Sequence, residues 1–161
     1  MENTSYEISK KALEVLHSQH IITLATSDEK RAWASPLYYV LKSGIFYFFS
    51  NPESRHIVNS LGGKIVAGSV HEPSSGWADI RGVQMEGHIE EAGFDMGSTT
   101  AYALYLSRFS FIRDMGKVIS PMSTFAAIEA SFKVKWYKYV PTRVYYLDNS
   151  IRFGYREEVD L

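Results

Sequence analysis

The run Phe46-Tyr47-Phe48-Phe49-Ser50-Asn51-Pro52-Glu53-Ser54-Arg55-His56 packs a strand, a turn and a helix start into eleven residues. Four consecutive aromatic side chains favour a pleated, half-buried backbone, so Ile45 to Ser50 reads as a strand. Asn51-Pro52-Glu53 then reads as a cap, an N1 proline and a first-turn acid, which predicts a helix running to about Leu61 and stopped by Gly62-Gly63. Unpaired amides at a helix start attract anions, and the side chains gathered here suit a phosphate: Ser50 offers a hydroxyl, Arg55 a bidentate guanidinium, His56 an imidazole that titrates near neutrality. The plainer alternative is that Asn51 caps a surface helix, Arg55 is solvated and His56 rests on the body of the protein.

On the N-terminal side, Trp33 to Leu41 is a second strand-like run, joined to Ile45 through Lys42-Ser43-Gly44, and the two runs are expected to pair antiparallel. Before them, Tyr6 to Ser18 sets Ile8, Ala12, Leu13, Val15 and Leu16 near one helical face, with Ser5 available as a cap. Ile21 to Thr26 is a β-branched run closed by the turn residues Ser27-Asp28-Glu29-Lys30. On the C-terminal side, Lys64 to Val70 and Asp79 to Glu90 have strand character, the latter alternating Arg81, Val83, Met85 and Ile89 with Gln84, Glu86 and His88. The polar segment Glu72 to Gly76 separates them, and Asp95 to Phe109 reads as a helix. Ser123 to Ile128, Phe132-Val134-Trp136 and Val144 to Leu147 are read as further strands. Six or more antiparallel strands with two or three helices that do not alternate with them give a mainly β, α+β chain built on a barrel.

At 161 residues, with 45% hydrophobic and 22% charged side chains, the chain is expected to form one domain over residues 1–161. It has no cysteine, which excludes disulfides, thiolate catalysis and cysteine-ligated metals, so redox chemistry would need a bound cofactor. Met1 to Lys11 lacks the apolar core of a secretory signal, and Leu37 to Phe49 is too short and too interrupted to span a bilayer, so a cytoplasmic location without membrane contact is expected. Seventeen basic and eighteen acidic side chains leave a net charge of -1 with no basic block, which disfavours nucleic acid as a partner.

Taken in order, Leu16 to Thr26, Trp33-Ala34-Ser35-Pro36-Leu37-Tyr38-Tyr39-Val40 and Ser50 to His56 resemble the opening half of the FMN-binding split barrel of the pyridoxamine 5'-phosphate oxidase superfamily. Ile80 to Gly87 resembles a later strand of that fold, and the motifs cover about the first ninety residues. The remainder, with Tyr105 to Phe109 and Asp148 to Gly154, is similar to a small branch of the superfamily without an assigned activity. The resemblance implies an antiparallel six-stranded split barrel with flanking helices, working as a homodimer with FMN near the subunit interface. It implies that Ser50, Arg55 and His56 hold the FMN phosphate, with His56 in place of a more frequent lysine, and that Phe49 flanks it. Ser35, Pro36, Leu37 and Tyr38 would run beneath the isoalloxazine, bonding its polar edge through their backbone. The family's flavin-bonding glutamine aligns with Gly82, a departure, and Gln84 two residues on shares its face of the strand and is the candidate substitute, a solvent-facing strand residue being the alternative. The oxidase's C-terminal arginine–histidine substrate motif has no counterpart around Asp148 to Arg156, so pyridoxine phosphate is not the expected substrate; Trp136, Arg152 and Tyr155 are candidates to reach the flavin across a dimer seam, with packing the alternative for Trp136.

Three functions follow. The first is an FMN-dependent oxidoreductase on an unknown small molecule, the flavin carrying the hydride and a deazaflavin remaining an equivalent choice. The second is a flavin or haem carrier or sensor without turnover, in which His17, His20, His56 or His88 would be the axial ligand of a haem. The third is a dimeric barrel whose aromatic surface binds a protein. No metal site is expected, because His17 and His20 lack a third ligand nearby in sequence, and neither a Gly-x-Ser-x-Gly elbow nor a Gly-x-Gly-x-x-Gly loop is present.

Overall fold

A computed structural model describes residues 2–112 and 125–161. Helix α1 (Glu2–Ser18) is followed by β1 (Ile21–Ser27), β2 (Ala32–Tyr38), β3 (Val40–Lys42), β4 (Ile45–Ser50), α2 (Arg55–Ser60), β5 (Val66–His71), a 3-10 turn (Trp77–Asp79), β6 (Arg81–Glu91), α3 (Met96–Arg108), α4 (Phe125–Phe132), β7 (Lys135–Asp148) and β8 (Arg156–Glu158). One antiparallel sheet runs β2-β1-β5-β6-β7-β4-β3, with β8 on the outer flank of β7. The described residues thus contain eight strands, where six were expected, and the barrel with flanking helices stands.

The barrel is split at Tyr39. The expected single strand Trp33 to Leu41 breaks there: Ala32–Tyr38 pairs with β1, whereas Val40–Lys42 pairs with β4 at the opposite end of the sheet. Tyr39 is pinned at the switch, its N–H on the His20 carbonyl at 3.1 Å and its hydroxyl on the Leu16 carbonyl at 2.6 Å. Only the short second segment therefore makes the hairpin with β4, through Ser43 and Gly44, whose positive φ values of 51° and 74° suit a tight two-residue turn. The curled sheet brings β2 near β4, and α2 lies against β1 and β2.

Strand β7 is the backbone of the barrel, pairing with β6 along its length, with β4 at its start and with β8 at its end. A proline inside so long a strand is tolerated because the β6–β7 register shifts between Glu86 and Gly87, opposite Pro141. A Cβ on Gly87 would lie 2.3 Å from the Val140 carbonyl oxygen, so the bulge requires glycine there. The interior holds Ile22, Leu24, Phe46, Phe48, Val70, Val83, Tyr139 and Tyr146 together with the buried face of α1, Ile8, Ala12, Val15 and Leu16. A second cluster, Tyr47, Trp136, Tyr105 and Phe109, glues α3 to the other face of β4 and β7.

Three local expectations are corrected. Helix α1 starts at Glu2, so Ser5 is inside it rather than at its cap. Asn51 does not start α2: its side-chain oxygen takes the Glu53 N–H at 2.7 Å in an Asx turn, and the helix begins at Arg55. The segment up to Ile128 read as a strand is helical from Phe125, as its alanines and Glu129 prefer, while 123 and 124 lie outside the described residues; Phe132 closes that helix and Val144 to Leu147 belongs to β7.

Candidate functional site

The corner where β4 runs into α2 and faces the β1–β2 hairpin concentrates polar side chains. Phe46, Phe48 and Ser50 share the inward parity of β4, so Ser50 points into the barrel mouth, where α2 delivers His56 one turn after the Asx turn. The Ser50 hydroxyl and His56 Nε2 lie 2.8 Å apart, each residue only 6% exposed. Burial holds the His56 pKa below its ordinary value, so the imidazole is neutral at neutral pH. Deeper on the same helix, Asn59 donates to the Thr26 hydroxyl of β1 at 3.3 Å.

Arg55 turns the other way. Its Nη2 is 3.3 Å from Asp28 Oδ2, and its guanidinium lies 4.8 Å from the centre of the Trp33 ring on β2. Asp28 is shaped for this role by its own turn, Oδ1 accepting the Lys30 and Arg31 N–H groups at 2.8 Å each. Those two backbone bonds, then the Arg31 and Arg55 cations, hold the Asp28 carboxyl below the usual carboxylate range. A hollow of about 390 Å³ opens along Asp28 to Arg31.

Of the expected site residues, Ser50 and His56 touch, and Arg55 sits beside them but pairs across the hairpin. Strand β2 splits the next four by parity: Ser35 and Leu37 face inward, toward Leu24 and Ile22, while Pro36 and Tyr38 are on the exposed outer face. Phe49 lies on the opposite face of β4 from Ser50, 4.5 Å from Trp136 and edge-on to Tyr105 at 5.5 Å, in the α3 cluster. Gln84 is exposed on the outer face of β6, in register with Ser69 and Tyr145. Through Thr23 that row reaches Pro36, three strand spacings or about 14 Å away. Gln84 and Pro36 therefore share one face and Ser50 and His56 the other. Gly82, where the family's glutamine would stand, has no room for a side chain, since a Cβ would lie 2.7 Å from the Val70 carbonyl oxygen.

No protein-family model matches the chain. Two curated relatives match over 100 residues, 61% of this chain: the UPF0306 protein YhbP of Salmonella arizonae, 31% identical across 67% of its length, and a UPF0306 protein of Citrobacter koseri, 30% identical across 68%. The chain belongs to the UPF0306 family. Among solved structures, this UPF0306 chain is similar to a FAD-binding protein of Mesorhizobium loti (TM-score 0.61, 20% identity, 84% of this chain and 91% of that one). It is also similar to a haem-binding protein of Mycobacterium smegmatis (TM-score 0.69, 17% identity, 94% and 57%). A pyridoxamine 5'-phosphate oxidase-like protein of Listeria innocua gives a TM-score of 0.64 at 12% identity over 87% and 98%. At these identities the likeness is one of fold alone, a split β-barrel that this UPF0306 member shares with flavin-binding, haem-binding and oxidase-like proteins.

Sequence reading missed Asp28 and Trp33 as members of the corner. The signal for Asp28 was present, since an aspartate two and three residues before the amides it accepts is an Asx pattern, but its reach to Arg55, 27 positions later, is a tertiary fact. Trp136 is buried with its indole N–H on the Ser98 hydroxyl at 3.1 Å, which makes it a packing residue. Among the described residues no helix is long and apolar enough to cross a membrane, and no group of three or more metal-ligating side chains gathers.

Proposed function

We propose that this chain binds a flavin mononucleotide, with the phosphate at the β4–α2 corner, and uses it as an FMN-dependent oxidoreductase on a small molecule. The observation that supports this is a guanidinium backed by an aromatic ring, Arg55 on Trp33, on the short helix that also carries His56 to its buried contact with Ser50. Arg55 fits a phosphomonoester, for it can present a forked pair of N–H groups. Bound flavin would supply hydride transfer, which none of the side chains here can. The chain's own part is to hold and orient. Arg55 would anchor the phosphate, with the buried Ser50–His56 pair holding the helix that carries it, and the β2 segment Ser35 to Tyr38 would offer backbone groups to the ring edge. His56, neutral and bonded to Ser50, would fix the hydroxyl rather than add charge.

The same reading includes a second copy of the chain. The outer face of β2, β1 and β5 exposes Pro36, Ala34, Ala25 and Ala67, a flat and uncharged strip suited to close approach of another sheet, and it runs into the Gln84 row.

The visible spectrum of the purified protein, followed by titration with FMN, riboflavin and haem, tests the cofactor. Expected are flavin absorption bands and quenched flavin fluorescence on FMN addition, with Arg55→Ala weakening FMN by roughly tenfold to a hundredfold (about 1.5–3 kcal/mol for a charge-assisted contact) and leaving riboflavin unchanged. Protein that stays colourless and does not quench FMN rejects the proposal, and a Soret band replaces flavin by haem. NAD(P)H-dependent reduction and oxygen consumption by the FMN-loaded protein then separate an oxidoreductase from a carrier.

A further inference from the structure

The Arg55–Asp28 pair bears on how any phosphate would enter this corner. Arg55 is the cation of the corner, and its Nη2 already lies 3.3 Å from Asp28 Oδ2. Both side chains are about one-third exposed, at 30% and 35%, so the pair is neither locked in the core nor freely solvated. Asp28 is fixed independently of Arg55, because Oδ1 is committed to the Lys30 and Arg31 amides and the Asp28 N–H closes the turn on the Arg31 carbonyl at 3.1 Å. Arg31 adds its Nε 3.7 Å from the same Oδ2, though its own side chain is 75% exposed. Trp33 supports the guanidinium from the ring side, which keeps it in place whether its acceptor is a carboxylate or another anion.

We propose that Asp28 is a built-in competitor for the phosphate site, occupying Arg55 until a dianionic phosphomonoester displaces it and so lowering the affinity for phosphorylated ligand alone. This rests on the flavin reading above. The geometry assigns this role to Asp28 because a phosphate has to take Arg55 from the carboxylate, gaining charge and acceptor oxygens in the exchange, whereas a neutral ligand leaves the ion pair intact. Breaking a partly exposed pair costs less than a charge-assisted phosphate contact returns.

Asp28→Asn tests this directly. The amide oxygen keeps the two turn bonds, and the Nδ2 group that replaces Oδ2 faces Arg55 as a donor and releases it. Flavin fluorescence titrations of wild type, Asp28→Asn, Asp28→Ser and the charge control Glu29→Gln, each with FMN and with riboflavin, are the measurement. The expected result is FMN affinity raised roughly two- to fivefold in both Asp28 variants, riboflavin affinity unchanged, Glu29→Gln like wild type, and inorganic phosphate displacing FMN from Asp28→Asn at lower concentration. FMN binding by Asp28→Asn alone would be the same result in stronger form. Equal gains in Glu29→Gln, or FMN affinity in Asp28→Asn no better than wild type, overturn the role of Asp28 and leave the flavin reading standing. FMN bound by none of the four proteins overturns both.

Discussion

Ser50→Ala removes one oxygen from a pair that the barrel has sealed. In the wild-type chain the Ser50 hydroxyl and His56 Nε2 are 2.8 Å apart and both residues are 6% exposed, so the imidazole nitrogen has nowhere else to turn within the protein. Losing a partner while the other group stays buried costs about 1–3 kcal/mol, more than the worth of the bond itself, because the desolvation of the survivor is no longer offset. For a chain of this length each kilocalorie lowers the melting temperature by about 2–4 °C, which puts the expected drop at roughly 4–8 °C for a mid-range cost of about 2 kcal/mol. Thermal and urea unfolding at pH 7.5 followed by far-UV circular dichroism measure the drop and the free energy behind it, with Ser74→Ala, an exposed serine bonded to the Gly76 carbonyl, as the control expected to stay within about 0.5 kcal/mol. A double-mutant cycle with His56→Ala should return a coupling of about 1 kcal/mol. If Ser50→Ala unfolds with wild-type stability, or the two changes add without coupling, the pair is not the sealed contact described and its part in the corner falls with it.

Stability should also fall as pH drops below about 6.5, because the unfolded imidazole takes a proton there while the folded His56, its pKa lowered by burial, resists until lower pH; the contribution is intact above 6.5, and His56→Asn should flatten the difference in melts across pH 5 to 7.5. Gly87→Ala pushes a methyl against backbone at 2.3 and 2.9 Å and should cost more than about 2 kcal/mol in the same unfolding assay, a loss under 0.5 kcal/mol refuting the tight bulge. Ala67→Arg, on the exposed face of β5, should convert a homodimer to monomer in analytical ultracentrifugation, and wild type that sediments as a monomer removes the dimer from the proposal.

Most of the barrel was legible because its strands carry their own signals. β1, β4, β5 and β6 are runs of β-branched or aromatic side chains bounded by turn residues, and α1 and α3 repeat at helical spacing. What was not legible was decided by partners far away in sequence. Nothing in Trp33 to Leu41 marks Tyr39 as the point where one strand becomes two, since the break depends on the Leu16 and His20 carbonyls that receive it. β7 was read in pieces because Pro141 interrupts its pattern, and only Gly87 on the neighbouring strand accommodates the interruption. At the site, residue identity was readable and direction was not. Parity along β4 places Phe49 and Ser50 on opposite faces, and whether Arg55 faces inward with His56 or outward to Asp28 turns on where α2 begins, which the Asx turn of Asn51 moves to Arg55.

The charge balance of the corner limits what kind of ligand it can hold. A phosphomonoester carries close to two negative charges at neutral pH. Against them stands Arg55, already shared with Asp28, while His56 is neutral and occupied by Ser50. On the flavin reading, a lysine in the place of His56 would neutralise the second charge; here that charge is left to hydrogen bonds and to the mostly exposed Arg31. Phosphate contacts therefore orient the ligand more than they hold it, and the larger share of affinity has to come from apolar and aromatic surface. On the Arg55 side such surface is the Trp33 ring, 44% exposed beside the guanidinium. A ligand with a small anionic head and a broad planar body meets both conditions; inorganic phosphate or a sugar phosphate meets only the first.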